Sequence, residues 1–219
     1  GIPVAVKDQI YTKGVRTTDG SKLRSDFVPD FDATVVDNLK KAGAILLGKL
    51  NMSEFAIGDP QSSAFGPARN PWDLARSPGI SSSGSGAATA ARLCATSLGE
   101  DTGGSVRIPA SFCGLYGIRP THGRISMQGV MMGSPSYDTV GFFADDAELF
   151  ARVGQVLLQT EIPALRPAQL VVVDDAFALA EHGVDAALRP QVERVSSLVH
   201  KVRSVRLAED GLEAWTEQQ

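Results

Sequence analysis

Two short segments pack small residues so densely that they read as tight, closely approached loops: Ser77–Ala88 (SPGISSSGSGAA) and Gly99–Arg107 (GEDTGGSVR). Glycine gives a chain backbone shapes and close approaches that other residues lack. A serine-rich loop that runs into a helix N-terminus is suited to hold an anion or an oxyanion. The first segment closes a stretch, 58–86, rich in Gly, Pro, Ser and Asn, for which a flexible linker is the plain compositional reading. Against that reading, Pro60, Pro67, Pro71 and Pro78 stiffen the stretch, and it feeds straight into an Ala-rich helix expected over Ala87–Ser97. Leu98–Ser105 repeats the pattern of small residues, paired glycines and a serine.

The flanking sequence is that of an α/β protein. Val4–Val6 is a short β-like run. Asp32 is placed to cap a helix carrying Val35, Val36, Leu39 and Ala42 at helical spacing, with Gly43 ending it. Ala44–Gly48 reads as a buried strand, which completes a strand–helix–strand order. Val106, Ile108 and Phe112–Ile118 are expected in the core. Beyond Gly141 the pattern predicts a helix over Asp145–Leu158, a strand over Leu170–Val173, a helix over Ala186–Val202 and a last strand over Ser204–Leu207. No internal repeat is visible, and Pro163–Pro167 is the one candidate internal linker. The 219 residues are read as one domain. The abrupt start at Gly1-Ile2-Pro3 and the stop at Gln219 suggest a piece of a longer protein, expected to lack an N-terminal helical lead-in and a C-terminal part.

Charge narrows the partners. A net charge of −4 offers no basic field for nucleic acid or an anionic membrane, and favours a small molecule or a protein partner. No apolar run is long enough to span a bilayer and no signal peptide is visible, so the cytoplasm is the default compartment. Cys94 and Cys113 sit in small or apolar surroundings and read as buried reduced thiols. No His or Cys pair has ligand spacing, so neither a metal nor another cofactor is expected.

A serine nucleophile needs a base. Of three histidines, His182 and His200 lie in polar helical contexts, and His122 sits in the turn Pro120-Thr121-His122-Gly123. None suits a Ser-His-Asp triad. A Gly-x-Ser-x-Gly elbow, a Ser-x-x-Lys box, a Walker loop and a dinucleotide loop are all missing.

Ser77–Ala88, Gly99–Ala110 and Pro3–Asp8, in that relation, resemble the amidase signature family, and Gly48–Phe55 and Asn70-Pro71-Trp72 are similar to its connecting regions. The likeness covers nearly residues 1–160. It implies an α/β fold with a central mixed, twisted sheet covered by helices on both faces. It also implies a Ser–Ser–Lys triad: Ser105 as nucleophile, Ser81 on a cis peptide as the bridging serine, and Lys7 as base. The 24-residue separation of Ser81 and Ser105 fits the family's register and selects Ser81 over Ser82 and Ser83. Lysine acts as a base only when neutral, so burial must bring its pKa well below about 10.4. Ser81 would relay the proton and later return one to the leaving amine. The N–H groups of Thr102, Gly103, Gly104 and Ser105 are assigned to the oxyanion hole, where losing one donor costs about 3 kcal/mol in the transition state. Ser82, Asp101 and Arg107 are assigned supporting roles, and Met52, Phe55 and Ala56 are candidates for the acyl pocket. The chain departs from the family pattern at Ile80 and Ser83, where glycines are usual, and at Glu100, where threonine is common.

Within the family, Phe112–Gly123 and Asp138–Ala144 resemble the plant-type indole-acetamide hydrolase branch and its bacterial relatives. The expected reaction is therefore hydrolysis of a small carboxamide, such as an arylacetamide, to acid and ammonia. A homodimer is compatible with this reading. Two alternatives stand beside it: the A subunit of a glutamyl-tRNA amidotransferase, passing ammonia to a partner, and a catalytically weak pseudo-amidase scaffold.

Overall fold

Alternating small and branched residues in the first strand set the layout of everything near it. In the computed structural model, which describes residues 1–59, 62–161, 167–208 and 210–212, Pro3–Lys7 forms β1. Pro60 and residues 163–166 of the proline-bounded stretch lie outside the described residues, as does the side chain of His182. The chain divides into two compact units, 1–162 and 163–219.

The first unit is built on a five-stranded mixed sheet. β2 (Ile45–Leu50), β1 and β3 (Thr96–Asp101) run parallel, while β5 (Thr139–Ala144) pairs antiparallel with both β3 and β4 (Tyr116–Ile118). The order across the sheet is β2-β1-β3-β5-β4. Strand side chains alternate between faces. Val4, Val6, Leu98, Val140 and Phe142 therefore pack with Val35, Val36 and Leu39 of α1 (Thr34–Lys41) and Val153 and Leu157 of α4 (Ala147–Leu158). Ala5 packs instead with Ala88 of α2 (Ser83–Ala90), and Phe143 with Ala110 of α3 (Arg107–Cys113). Helices thus cover both faces, as expected of the family. The same alternation puts Lys7 on Ala5's side of β1, the side that α2 covers.

Several boundaries differ from the sequence-based expectation, each for a tertiary reason. Asp32 does not cap α1. It accepts hydrogen bonds from the Lys13 N–H and Lys40 Nζ, and Ala33 holds the cap position. β2 is an edge strand rather than a buried one, with Ile45 and Leu47 each 54% exposed. The Ala-rich helix starts at Ser83 and stops at Ala90, because Thr96 and Ser97 are drawn into the sheet as β3. That strand is buried throughout although its sequence is TSLGED. Thr96 Oγ1 donates to the Phe143 carbonyl of β5 (2.6 Å), and serines bond across the α2–β3 contact: Ser97 Oγ donates to the Ser85 carbonyl (3.0 Å), and Ser85 Oγ to the Leu98 carbonyl (2.9 Å). β5 is a further strand that the apolar pattern alone does not predict. Ile108 and Phe112, expected in the core, lie on exposed parts of α3, at 36% and 56% exposure.

Close approach explains the glycines of α2. A Cβ on Gly84 would lie 2.5 Å from the Asn51 backbone nitrogen and 2.6 Å from its carbonyl oxygen. Backbone cannot step aside as a flexible side chain can. Gly84→Ala is expected to destabilise the protein by about 1–3 kcal/mol, the usual overpacking range, and to lower the melting temperature. An unchanged melting curve would contradict this packing.

The second unit holds β6 (Gln169–Val173), α5 (Asp174–Ala178), α6 (His182–Ser196) and β7 (Lys201–Val205). β6 and β7 are parallel, with Leu170 opposite Val202. This pairing takes Val202 out of the helix expected over Ala186–Val202 and starts β7 three residues before the expected strand. Asp175 ties the unit together by accepting the Leu207 and Ala208 N–H groups.

Candidate active site

The carboxyl ends of β2, β1 and β3 lie side by side, the part of an open α/β sheet where ligands bind. Each strand delivers one element of the site. β1 ends on Lys7, β2 runs into Asn51–Ser53, and β3 runs into the loop 102–106.

Lys7 is completely buried. Its Nζ donates to Ser81 Oγ at 2.7 Å and to the Glu100 carbonyl at 3.3 Å. Burial lowers its pKa to about 8, against the pull of Glu100, Asp101 and Asp138, which favour the ammonium. Lys49, only partly buried, is also brought to about 8 by desolvation. It is bound to the Ile10 carbonyl and to Thr17 Oγ1, and Asp8 lies 4.0 Å away. Of the two, Lys7 is the one bonded to a serine.

Ser81 is buried, and the Ile80–Ser81 peptide is cis, as the family resemblance implies. The Ser81 carbonyl accepts the Ser53 N–H at 3.3 Å. Ser82 joins the two small-residue loops. Its N–H donates to the Ser105 carbonyl at 3.3 Å, and its Oγ donates to the Glu100 carbonyl at 3.2 Å. Ser81 and Ser105 are thereby held on adjoining loops. Among the described residues, no hydrogen bond joins their two hydroxyls.

Asp101 shapes the loop that carries Ser105. Its buried carboxylate accepts the N–H groups of Gly104 (2.7 Å), Val106 (2.9 Å) and Arg107 (3.1 Å), and binds the Arg107 guanidinium through Nε and Nη2. Burial alone would push this carboxyl up. Arg107 and the backbone donors outweigh burial and hold it below the usual carboxylate range. Of the four N–H groups expected in the oxyanion hole, that of Gly104 is bonded to Asp101. Thr102, Gly103 and Ser105 remain, and among the described residues their N–H groups have no acceptor within the protein. The space beside Gly103 is open, with no atom within 4 Å of where a Cβ would stand.

Met52 is fully buried against Gly20, whereas Phe55 and Ala56 are half-buried in a left-handed turn with φ of 50° and 62°. The Phe55 N–H donates to the Asp19 carbonyl at 2.8 Å. His122 meets the Pro135 carbonyl and His200 is exposed. Cys94 and Cys113 are buried and unpaired. Among the described residues, no acidic, His or Cys cluster is arranged to hold a metal, and no helix is long and apolar enough to cross a membrane.

Sequence reasoning misses one group of side chains. Gln9, Glu100, Thr102 and Asp138 form a connected polar cluster beside Lys7: Gln9 Nε2 lies 3.4 Å from Glu100 Oε2, and Thr102 Oγ1 lies 3.0 Å from Glu100 Oε1 and 2.6 Å from Asp138 Oδ1. In the sequence, Glu100 stands out only as a departure from the family pattern. Nothing in its spacing points to Asp138, which lies 38 residues further along the chain.

The family model described as Amidase matches residues 1–193. The A subunit of a glutamyl-tRNA(Gln) amidotransferase from Prochlorococcus marinus (strain MIT 9303) is 53% identical over 182 residues, covering 83% of this chain and 37% of that protein. The crystal structure of the corresponding A subunit from Thermotoga maritima superposes with a TM-score of 0.85 at 35% identity, over 94% of this chain and 50% of that one. The native peptide amidase from Stenotrophomonas maltophilia gives 0.83 at 29% identity, over 99% and 49%. The chain spans about a third to a half of the length of the relatives it matches. With the family model matched over most of its length, the chain belongs to the amidase signature family.

Proposed function

We propose that this chain carries the core of an amidase that opens a carboxamide through an acyl-enzyme on Ser105, with glutamine as the amide donor and ammonia passed to a partner subunit. The observation that carries the chemistry is the 2.7 Å contact from a fully buried Lys7 Nζ to Ser81 Oγ. Neutral Lys7 takes the Ser81 proton as Ser81 takes that of Ser105. Ser105 Oγ then attacks the amide carbon. The free N–H groups of Thr102, Gly103 and Ser105 receive the developing oxyanion. As the C–N bond breaks, the proton returns through Ser81 to the nitrogen, and ammonia leaves. Water, activated the same way, releases the acid. The attack requires Ser105 Oγ to come within reach of Ser81 Oγ, a contact that commonly tightens only with substrate bound.

The amidotransferase reading rests on the relatives, which are amidotransferase A subunits. It displaces the arylacetamide reading as the first choice. A free amidase acting on a small carboxamide is the second reading, supported by the likeness to a peptide amidase. Ammonia release by the full-length protein from glutamine, indole-acetamide and a peptide C-terminal amide separates them. Glutamine is expected to be the best substrate. Turnover of the other amides without glutamine selects the free amidase, and no turnover of any by a folded protein selects the scaffold.

The base also fixes a pH dependence. Lys7 must be neutral to act, and its pKa lies at about 8. The rate is therefore expected to rise with pH through about 8 and to fall about tenfold per unit below it. A pH–rate profile flat between 6 and 9 (about three units) would exclude Lys7 as the base.

A further inference from the structure

Beside the proposed base lies a second buried acid–base group that the reaction above does not use. Glu100 is 1% exposed, and its Oε2 stands 3.6 Å from Lys7 Nζ, inside ion-pair range but beyond hydrogen-bond length. We propose that Glu100 is a positioning residue for the proton on Lys7: its carboxylate holds the lysine as ammonium and thereby sets the pH at which the base becomes available. This inference rests on Lys7 acting as the base.

Every group facing Glu100 bears on its charge. Burial disfavours the carboxylate, while Lys7, on β1, favours it. Asp138, just before β5, and Asp101, next to it on β3, add to the effect of burial, and together these raise its pKa. Gln9 Nε2 and Thr102 Oγ1 face its two oxygens as neutral donors. The Thr102 hydroxyl has one proton and two carboxyl neighbours. Asp138 Oδ1 is the nearer at 2.6 Å, and Asp138 Oδ2 already accepts the Gly133 and Ser134 N–H groups. When the Thr102 proton goes to Asp138, Glu100 Oε1 loses that donor. Among the described residues, Lys7 is then the one cation close to Glu100, at ion-pair distance. An opposite charge within about 4–6 Å shifts a titration by roughly 1–3 units. The shift is upward for Lys7, so the base is withheld at neutral pH.

The test is the pH dependence of kcat/KM for ammonia release by the full-length protein, in Glu100→Gln and Glu100→Asp. Glu100→Gln keeps the shape and removes the charge. Its acid limb is expected to move down by about one unit or more, a gain of roughly tenfold at pH values below the wild-type limb. Glu100→Asp keeps a charge and is expected to leave the limb within about half of that shift. A merely structural role would lower the rate without moving the limb. An unmoved limb in an active Glu100→Gln protein overturns the proposal while leaving the triad intact. Retained activity in Lys7→Ala overturns the triad reading itself. If Glu100→Gln does not fold, the 13Cε resonance of Lys7 in the wild-type protein decides. A second inflection from the ionisation of Glu100 supports the coupling, and a single simple titration contradicts it.

Discussion

Lys7→Ala is expected to lower kcat/KM for amide cleavage by a factor on the order of 10⁴ or more, while the second unit keeps its structure. The size follows from the absence of a substitute among the described residues. Lys49 is bound among Asp8, Thr17 and the Ile10 carbonyl, and neither His122 nor His200 is buried beside a serine. Without Lys7 the Ser81 hydroxyl has no acceptor for its proton, and Ser105 stays a neutral, weak nucleophile. Lys7→Met fills the same buried volume without a charge but leaves the buried Glu100 carboxyl without its nearby cation, so a lower melting temperature is expected. Assayed at a temperature where circular dichroism shows it folded, it should lose activity as Lys7→Ala does. Activity retained in Lys7→Met would mean that the base lies elsewhere.

Asp101→Ala is expected to produce the largest loss of stability, about 3–5 kcal/mol, together with loss of activity. Removing this carboxylate strands the Gly104, Val106 and Arg107 N–H groups and releases the Arg107 guanidinium. Those donors fix the backbone on both sides of Ser105, so the loop that carries Ser105 goes with them. Arg107 itself is half exposed, at 54% for its side chain, so Arg107→Ala should be much milder. The pH dependence has a defined sign. A carboxyl held low in the folded state gives stability that is present above its unfolded pKa of about 3.9 and lost as pH falls through its folded value. The stability of Asp101→Ala, followed by circular dichroism, should therefore fall less steeply with pH across that acid range than the wild type's. An unchanged acid transition and melting temperature would show that the loop does not depend on Asp101.

The fold class is legible in the strand–helix–strand order and the family in three short blocks. Lys7, Ser81 and Ser105 are singled out only through the family resemblance, since glycines by themselves mark no more than a tight loop and a lone lysine after an apolar run reads as a surface residue. β3 does not stand out. Its residues are Thr, Ser, Gly, Glu and Asp around one leucine, and they are buried only because α2 is made of residues small enough to approach and hydroxyls able to bond across. Period-based reading sees no hydrophobic alternation in such a strand. The edge position of β2 is equally hidden, since an apolar run looks the same in the centre of a sheet and at its rim. Only the fold shows that Asp101 turns back to take the Gly104 N–H, one of the donors expected in the oxyanion hole. Glu100 is visible as a residue and invisible as a neighbour of Lys7, because that contact joins positions 93 residues apart.

The most direct measurement is labelling of the full-length protein with a serine-directed phosphonate, followed by mass spectrometry of the peptide that bears the label. One phosphonyl group on Ser105, absent in Lys7→Ala and in Ser81→Ala, is the predicted result. Label on another serine, or label on Ser105 that persists without Lys7, would contradict the Ser105–Ser81–Lys7 account.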